Sequence, residues 1–303
     1  MTYKYHLIMV NQISINESVE VKGINVYNGR KNTAIFHPGE ENSGLVFLVK
    51  GAKVPAKLDF AENRRRAIRL DNGEGRIHLV EHLLSAVYAL GIDNLKIELS
   101  DGVCPTTNNC AYEYFEALRD IRGVQTEPKQ FWRYAKDTET CIRNDKKRKP
   151  DCLRVNSFDG FVIDYFVYYP HKVVGEQNYR FQFDENAYAE SVANARSPGF
   201  IKNGLFKKAF LSLGKAGLHG INERNYLLIT SENAERYANS EKFGVRYNGE
   251  EFVRHKILDV MGTLALTGRQ FRNTEFKFQM TGHRFDLYAL KKLFKEGCFE
   301  DSV

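Results

Sequence analysis

The chain has 303 residues, 43% hydrophobic and 27% charged, with 44 basic against 38 acidic side chains and a net charge of +6. That balance excludes a disordered or fibrous chain, gives ample apolar surface for one large or two medium domains, and is too mildly basic for the usual footprint of a nucleic-acid binder. Cys104, Cys110, Cys141, Cys152 and Cys298 are odd in number and form no C-x-x-C pair, so reduced thiols in a reducing compartment are expected.

MTYKYHLIMVNQ has too short an apolar run for a signal peptide, and no stretch approaches the roughly 18 apolar residues that span a bilayer. A cytoplasmic protein without a transmembrane segment, acting as a monomer, is expected. VNQISINESVEVKGINVY alternates apolar and polar residues as a half-buried strand does. NGRK and GEENSG read as turns, and GLVFLV as a short buried strand. GRIHLVEHLLSAVYALGI changes period: Ile77, Val80, Leu83, Leu84, Val87 and Leu90 recur at helical spacing, and Gly91 suits a C-cap. DNLKIELSD returns to alternation, and AYEYFEALRDIRGV predicts a helix ending at Gly123.

The charged run RNDKKRKPD (143–151) predicts an exposed connection within or near a domain boundary; no aromatics interleave it as a nucleic-acid patch would require. Beyond it, LRVNS, GFVIDYFVYYP and QNYRFQF read as strands and NAYAESVANAR as a helix. EEFVRHKILDVMGTLALTG predicts a strong helix, with Phe252, Ile257, Leu258, Met261, Leu264 and Leu266 on or near one face. RFDLYALKKLFKEG predicts a final helix. Strands followed by helices, twice over, predict two α+β domains, drawn at 1–125 and 126–303, with no close sequence repeat between them.

Three places carry residues suited to chemistry. In His78-Leu79-Val80-Glu81-His82 a helix would put His78 and His82 on one face beside Glu81, the H-x-x-E-H pattern of a metallopeptidase. His255 and Asp259 stand at i and i+4 on the strong helix, and an imidazole with a carboxylate suits zinc. One further histidine would complete a three-ligand site with room for water. Gly282-His283 follows a strand-like segment, where a lone histidine is more often structural than catalytic.

The order VEHLLSAVYALGIDNLKIEL, ARSPGF, FVRHKILDVMG, TGH resembles the UDP-3-O-acyl-N-acetylglucosamine deacetylases of lipid A synthesis, and the match runs in order over nearly the whole chain. The resemblance implies two α+β domains, each a β-sheet packed on a pair of helices, with the helix layers facing each other. It implies a zinc-dependent hydrolase (iron(II) is an alternative metal) that removes an N-acetyl group from a UDP-linked amino sugar bearing an acyl chain. His82, His255 and Asp259 correspond to the metal ligands. Glu81 corresponds to the general base, and His283 to the acid that also steadies the oxyanion. Ser197 stands where the family has a supporting threonine hydroxyl. Lys256 corresponds to a sugar-nucleotide contact, and Tyr169 and Phe200 to aromatics that hold the uracil. His78 has no role on this reading.

The chain departs from the family at several points. Thr263 replaces an aspartate that pairs with the histidine at the His283 position, Asn108 replaces an acid, and Pro198 replaces an aromatic. The segment from Gly204 to Thr230, which in the family shapes the acyl passage, matches poorly. The competing readings are a non-catalytic paralogue that binds a sugar nucleotide and, more remotely, the H-x-x-E-H peptidase.

Overall fold

The computed structural model describes residues 10–64, 66–144, 150–201, 222–230, 239 and 241–302. The first half runs β1 (Asn11–Ile15), β2 (Val19–Ile24), β3 (Lys31–Pro38), β4 (Leu45–Val49), β5 (Ala52–Pro55), β6 (Ala61–Arg64), β7 (Ala67–Asp71), β8 (Arg76–His78), helix α1 (Glu81–Ala89), β9 (Leu95–Leu99), α2 (Tyr112–Arg119) and β10 (Arg122–Pro128). The second half runs β11 (Phe131–Tyr134), β12 (Thr140–Asn144), β13 (Asp151–Ser157), β14 (Phe161–Tyr169), β15 (Gly175–Gln182), α3 (Glu185–Ser191), β16 (Pro198–Ile201), β17 (Leu227–Thr230), α4 (Glu251–Ala265), β18 (Phe271–Arg272), β19 (Thr274–Gln279), α5 (His283–Lys295) and β20 (Phe299–Ser302).

The α+β architecture expected from the sequence is present, and it is duplicated. One five-stranded sheet has the order β2-β3-β9-β4-β5, the other β12-β13-β19-β14-β15. In each, four strands form two antiparallel hairpins, and a later strand enters between them. β9 pairs antiparallel to β3 and parallel to β4; β19 pairs antiparallel to β13 and parallel to β14. A helix precedes each inserted strand (α1, α4) and another follows it (α2, α5). The chain insertions differ. The first half adds the β6-β7-β8 sheet, and the second adds α3 with the parallel β16-β17 pair.

The central strands bury one face, with Phe36, Phe47 and Ile97 in one sheet and Ile163, Phe276 and Phe278 in the other. The helix layers meet where α1 packs on α4. Every residue of α1 is buried, and α4 leaves only Arg254 and Lys256 partly exposed. A helix apolar nearly all round belongs between two layers, and the polar residues that it carries there need a reason.

Four expectations change. The helical period from Ile77 onward was misleading: Arg76–His78 is a strand, and α1 begins only at Glu81. The second helix stops at Arg119, and Gly123 lies in β10, which pairs with β1. The 125/126 division therefore falls inside a paired strand. The charged run around 145–149 joins antiparallel neighbours, since Asn144 pairs with Asp151. It is a connection within the second sheet, and residues 145–149 themselves lie outside the described residues.

Candidate active site

α1 and α4 bring their polar residues to one place. Leu79, between β8 and α1, has a φ of 62°. A left-handed branched residue is uncommon and strained; here it turns the chain sharply from strand to helix, so that Glu81 and His82 open α1. His255 and Asp259 lie one turn apart on α4, on the face toward α1.

The ligand atoms of His82, His255 and Asp259 all lie within 4.8 Å of one another. Asp259 Oδ1 is 3.3 Å from His255 Nε2 and 3.7 Å from His82 Nε2. His255 Nδ1 donates to the Ala195 carbonyl at 2.9 Å, which leaves the Nε2 lone pair for a metal. Burial, then the neighbouring His255, pushes the His82 imidazole down to about 3, so it is neutral at physiological pH as a ligand must be. Burial alone would raise the Asp259 carboxyl, but His255, Lys256 and His283 beside it hold it well below the usual range. Asp259 Oδ1 is buried with no hydrogen-bond partner among the described residues. Two imidazoles and one carboxylate, one of whose oxygens is buried and unpartnered among the described residues, fit a divalent cation of the zinc type.

Around this cluster stand the other candidates. Glu81 is 2% exposed; its Oε2 accepts from the Ile68 backbone N–H at 3.0 Å, and its Oε1 is 3.8 Å from His283 Nε2. Burial, then the Asp259 charge, raises its carboxyl to about 8. His283, the first residue of α5, also puts Nε2 3.9 Å from Asp259 Oδ2, and burial pushes it down to about 4. Ser197 Oγ lies 2.8 Å from His255 Nε2 and 3.5 Å from His82 Nε2. Lys256 Nζ donates to Asp259 Oδ2 at 2.9 Å. Tyr169, at the end of β14, packs edge-on to Phe252 with ring centroids 5.4 Å apart, and its hydroxyl is close enough to act on Lys256 electrostatically. The backbone of Phe200 lies in β16, and its side chain is outside the described residues.

His78 takes no part in the cluster. It pairs with Arg69 in the β7–β8 ladder and packs edge-on to Tyr27, so it does not share a helical face with His82. Thr263 gives its hydroxyl to the Asp259 carbonyl at 2.9 Å, one turn back on its own helix. Asn108 donates to Glu113 on α2.

Two groups were not singled out by the sequence. Arg196, 1% exposed, forms a bidentate pair with Glu251 at 2.7 and 2.9 Å and also donates to the carbonyls of Glu223, Phe243 and Gly244. This clamp ties the strand that follows Ser197 to the start of α4. Asp286, on α5, is 2% exposed, and burial pushes its carboxyl up to about 7. An acid inside an apolar helical stripe (Asp286, Leu290, Leu293) was the available signal.

Comparison with known proteins identifies the family. The family model for UDP-3-O-acyl N-acetylglycosamine deacetylase matches residues 12–295. The chain is 31% identical over 292 residues to the UDP-3-O-acyl-N-acetylglucosamine deacetylase of Wolinella succinogenes, covering 95% of this chain and 91% of that protein. It is 35% identical over 266 residues to the enzyme of the same name from Helicobacter pylori, covering 86% and 83%. A Coxiella burnetii relative of the same name is 30% identical over 294 residues, covering 94% and 90%. With matches of this length and a polar cluster built on the two facing helices, the chain belongs to the UDP-3-O-acyl N-acetylglycosamine deacetylase family.

Proposed function

We propose that the chain removes the N-acetyl group from UDP-3-O-acyl-N-acetylglucosamine, or a closely related sugar nucleotide, in lipid A synthesis, with zinc held by His82, His255 and Asp259. The observation that carries this reading is the cluster of those three ligand atoms with Glu81 and His283 on its flank.

An amide carbonyl is a poor electrophile and its amine a poor leaving group. Zinc bound there supplies Lewis-acid polarisation of the carbonyl and of a water molecule. Glu81 takes the proton from the attacking water; a cation beside it offsets the burial that holds its proton on. The Ser197 hydroxyl donates to the developing oxyanion. His283 delivers a proton to the amine as the C–N bond breaks, and acetate and the free amine leave. Lys256, with its ammonium between Asp259 and the Tyr169 end of β14, binds the sugar nucleotide, and Tyr169 and Phe200 flank its base.

Residues 129–303, starting beyond β10, form the second domain on this reading, and the protein is a cytoplasmic monomer.

The test is release of free amine from UDP-N-acetylglucosamine with and without a 3-O-acyl group, by protein of measured zinc and iron content. Turnover of the acylated substrate that is abolished by Glu81→Ala is expected. Tight nucleotide binding with no amine released would instead identify a non-catalytic paralogue.

A further inference from the structure

His283 and Asp286 are the first and fourth residues of α5, one turn apart, where side chains share a face. Each has a polar atom that is buried and makes no hydrogen bond among the described residues: Nδ1 of His283 and Oδ1 of Asp286. A buried unsatisfied polar atom is costly, and native interiors rarely leave one without a partner. A single Nδ1–H to Oδ1 hydrogen bond satisfies both.

Glu81 and Asp259 face the other ring nitrogen of His283, Nε2, at 3.8 and 3.9 Å. Glu81 is also held by the Ile68 N–H, and Asp259 by Lys256. Thr263, on α4, has turned its hydroxyl back to its own helix. The neighbouring Thr281 side chain favours the charged form of the Asp286 carboxyl, and Thr281 accepts from the Tyr165 hydroxyl at its carbonyl, at 2.9 Å. Asp286 Oδ1 itself has no hydrogen-bond partner among the described residues.

We propose that Asp286 is the positioning residue for His283: on rotation of the two side chains, its Oδ1 accepts the Nδ1–H of the imidazole, fixing the ring so that Nε2 faces the reacting amide. The carboxylate that orients the histidine thus comes from the histidine's own helix. A fixed ring orientation acts on the proton-transfer step and leaves substrate binding alone.

This inference rests on His283 acting at the leaving amine, and the experiment separates the two. In zinc-loaded full-length protein, His283→Ala must lower kcat; a variant as fast as wild type removes the role of His283 itself. Given that loss, Asp286→Leu is expected to lower kcat roughly 10- to 100-fold with KM within about twofold. Asp286→Asn, which keeps an acceptor oxygen and the side-chain shape, retains most of the activity and serves if the leucine variant does not fold. The double variant His283→Ala/Asp286→Leu is no slower than His283→Ala, because both act through one ring. Nitrogen-15 shifts of the His283 ring report a proton fixed on Nδ1 in wild type and a mixture of tautomers in Asp286→Leu. An Asp286→Leu variant with unchanged kcat, a double variant slowed by the product of the two losses, or a ring whose shifts do not move overturns the proposal.

Discussion

Gly262 on α4 lies so close to Glu81 on α1 that a methyl group at position 262 would clash with the Glu81 carbonyl oxygen. The two helices that carry the ligands therefore touch backbone to backbone. Gly262 sits one residue before Thr263 and one turn beyond Asp259, so any side chain there pushes α4 off α1 at the level of the site. Gly262→Ala is expected to destabilise the protein by about 1–3 kcal/mol, as overpacking does, and to weaken metal binding because His82 and Asp259 move apart. Thermal melting and a metal competition titration check both effects. An alanine variant with wild-type melting and wild-type affinity would show that the contact is not tight in solution.

The metal reading separates His82 from His78. His82→Ala is expected to lose bound zinc and with it the stabilisation by metal, about 2.7 kcal/mol at a free metal concentration one hundred times Kd. His78→Ala, changing a strand residue outside the cluster, is expected to keep one equivalent. Metal analysis after dialysis checks this. Loss of metal from both variants in equal measure would return the H-x-x-E-H peptidase arrangement to consideration.

That contrast also marks where the sequence was a good guide. Glu81, His82, His255 and Asp259, which lie together in the fold, were picked out by the family resemblance; the spacing of His255 and Asp259 alone was weak evidence, and the Glu81-His82 pair alone suggested a peptidase. The place of His78 in a strand was not legible, because Ile77 and Val80 happen to match the helical period, while the pairing of His78 with Arg69 is a contact across a turn that periodicity does not register. The duplication of the two sheets was invisible for a similar reason. It repeats hydrogen-bond order, not residue identity. Arg196 and Glu251 are 55 residues apart, and nothing local in either segment announces that they meet.

Glu81 gives the metal-free protein a pH dependence whose sign is fixed. Its folded-state carboxyl is raised from 4.5 to about 8, chiefly by burial. A raised folded value means that the folded state holds its proton more tightly. The associated stability is complete below about 4.5 and is lost as the pH rises through about 8. Glu81→Gln cannot ionise, and its side-chain oxygen can still accept from Ile68. The melting temperature of the metal-free Gln variant is therefore expected to pull ahead of metal-free wild type as the pH climbs from 5 to 9, with the two equal near pH 4. Loading wild type with zinc is expected to close the gap, since the cation stabilises the carboxylate. A constant offset between the two proteins across that range would mean that Glu81 ionises freely in the folded state.

His283 offers the complementary test at the other end of the reaction. As an acid it must carry a proton, so activity falls as the pH rises through its pKa. Burial pushes that value down to about 4, and the Asp259 charge recovers only part of it. Thr263 lies one turn beyond Asp259 on the buried face of α4 but offers a hydroxyl already given to the Asp259 carbonyl. An aspartate in its place, the residue that pairs with this histidine in the family, is expected to bring a negative charge to the imidazole. Thr263→Asp is therefore expected to raise the pKa of His283 and move the alkaline limb of the pH–rate profile upward. Turnover at neutral pH then rises by up to about tenfold for every pH unit the limb travels. Burial of the new aspartate works against this, because an isolated carboxylate there would itself hold a proton. The profile decides between the two. A limb displaced upward with kcat raised at pH 7 means that the two groups pair. An unmoved limb means that the charge on His283 is set by Asp259 and its surroundings alone, and that the threonine is neutral in the chemistry.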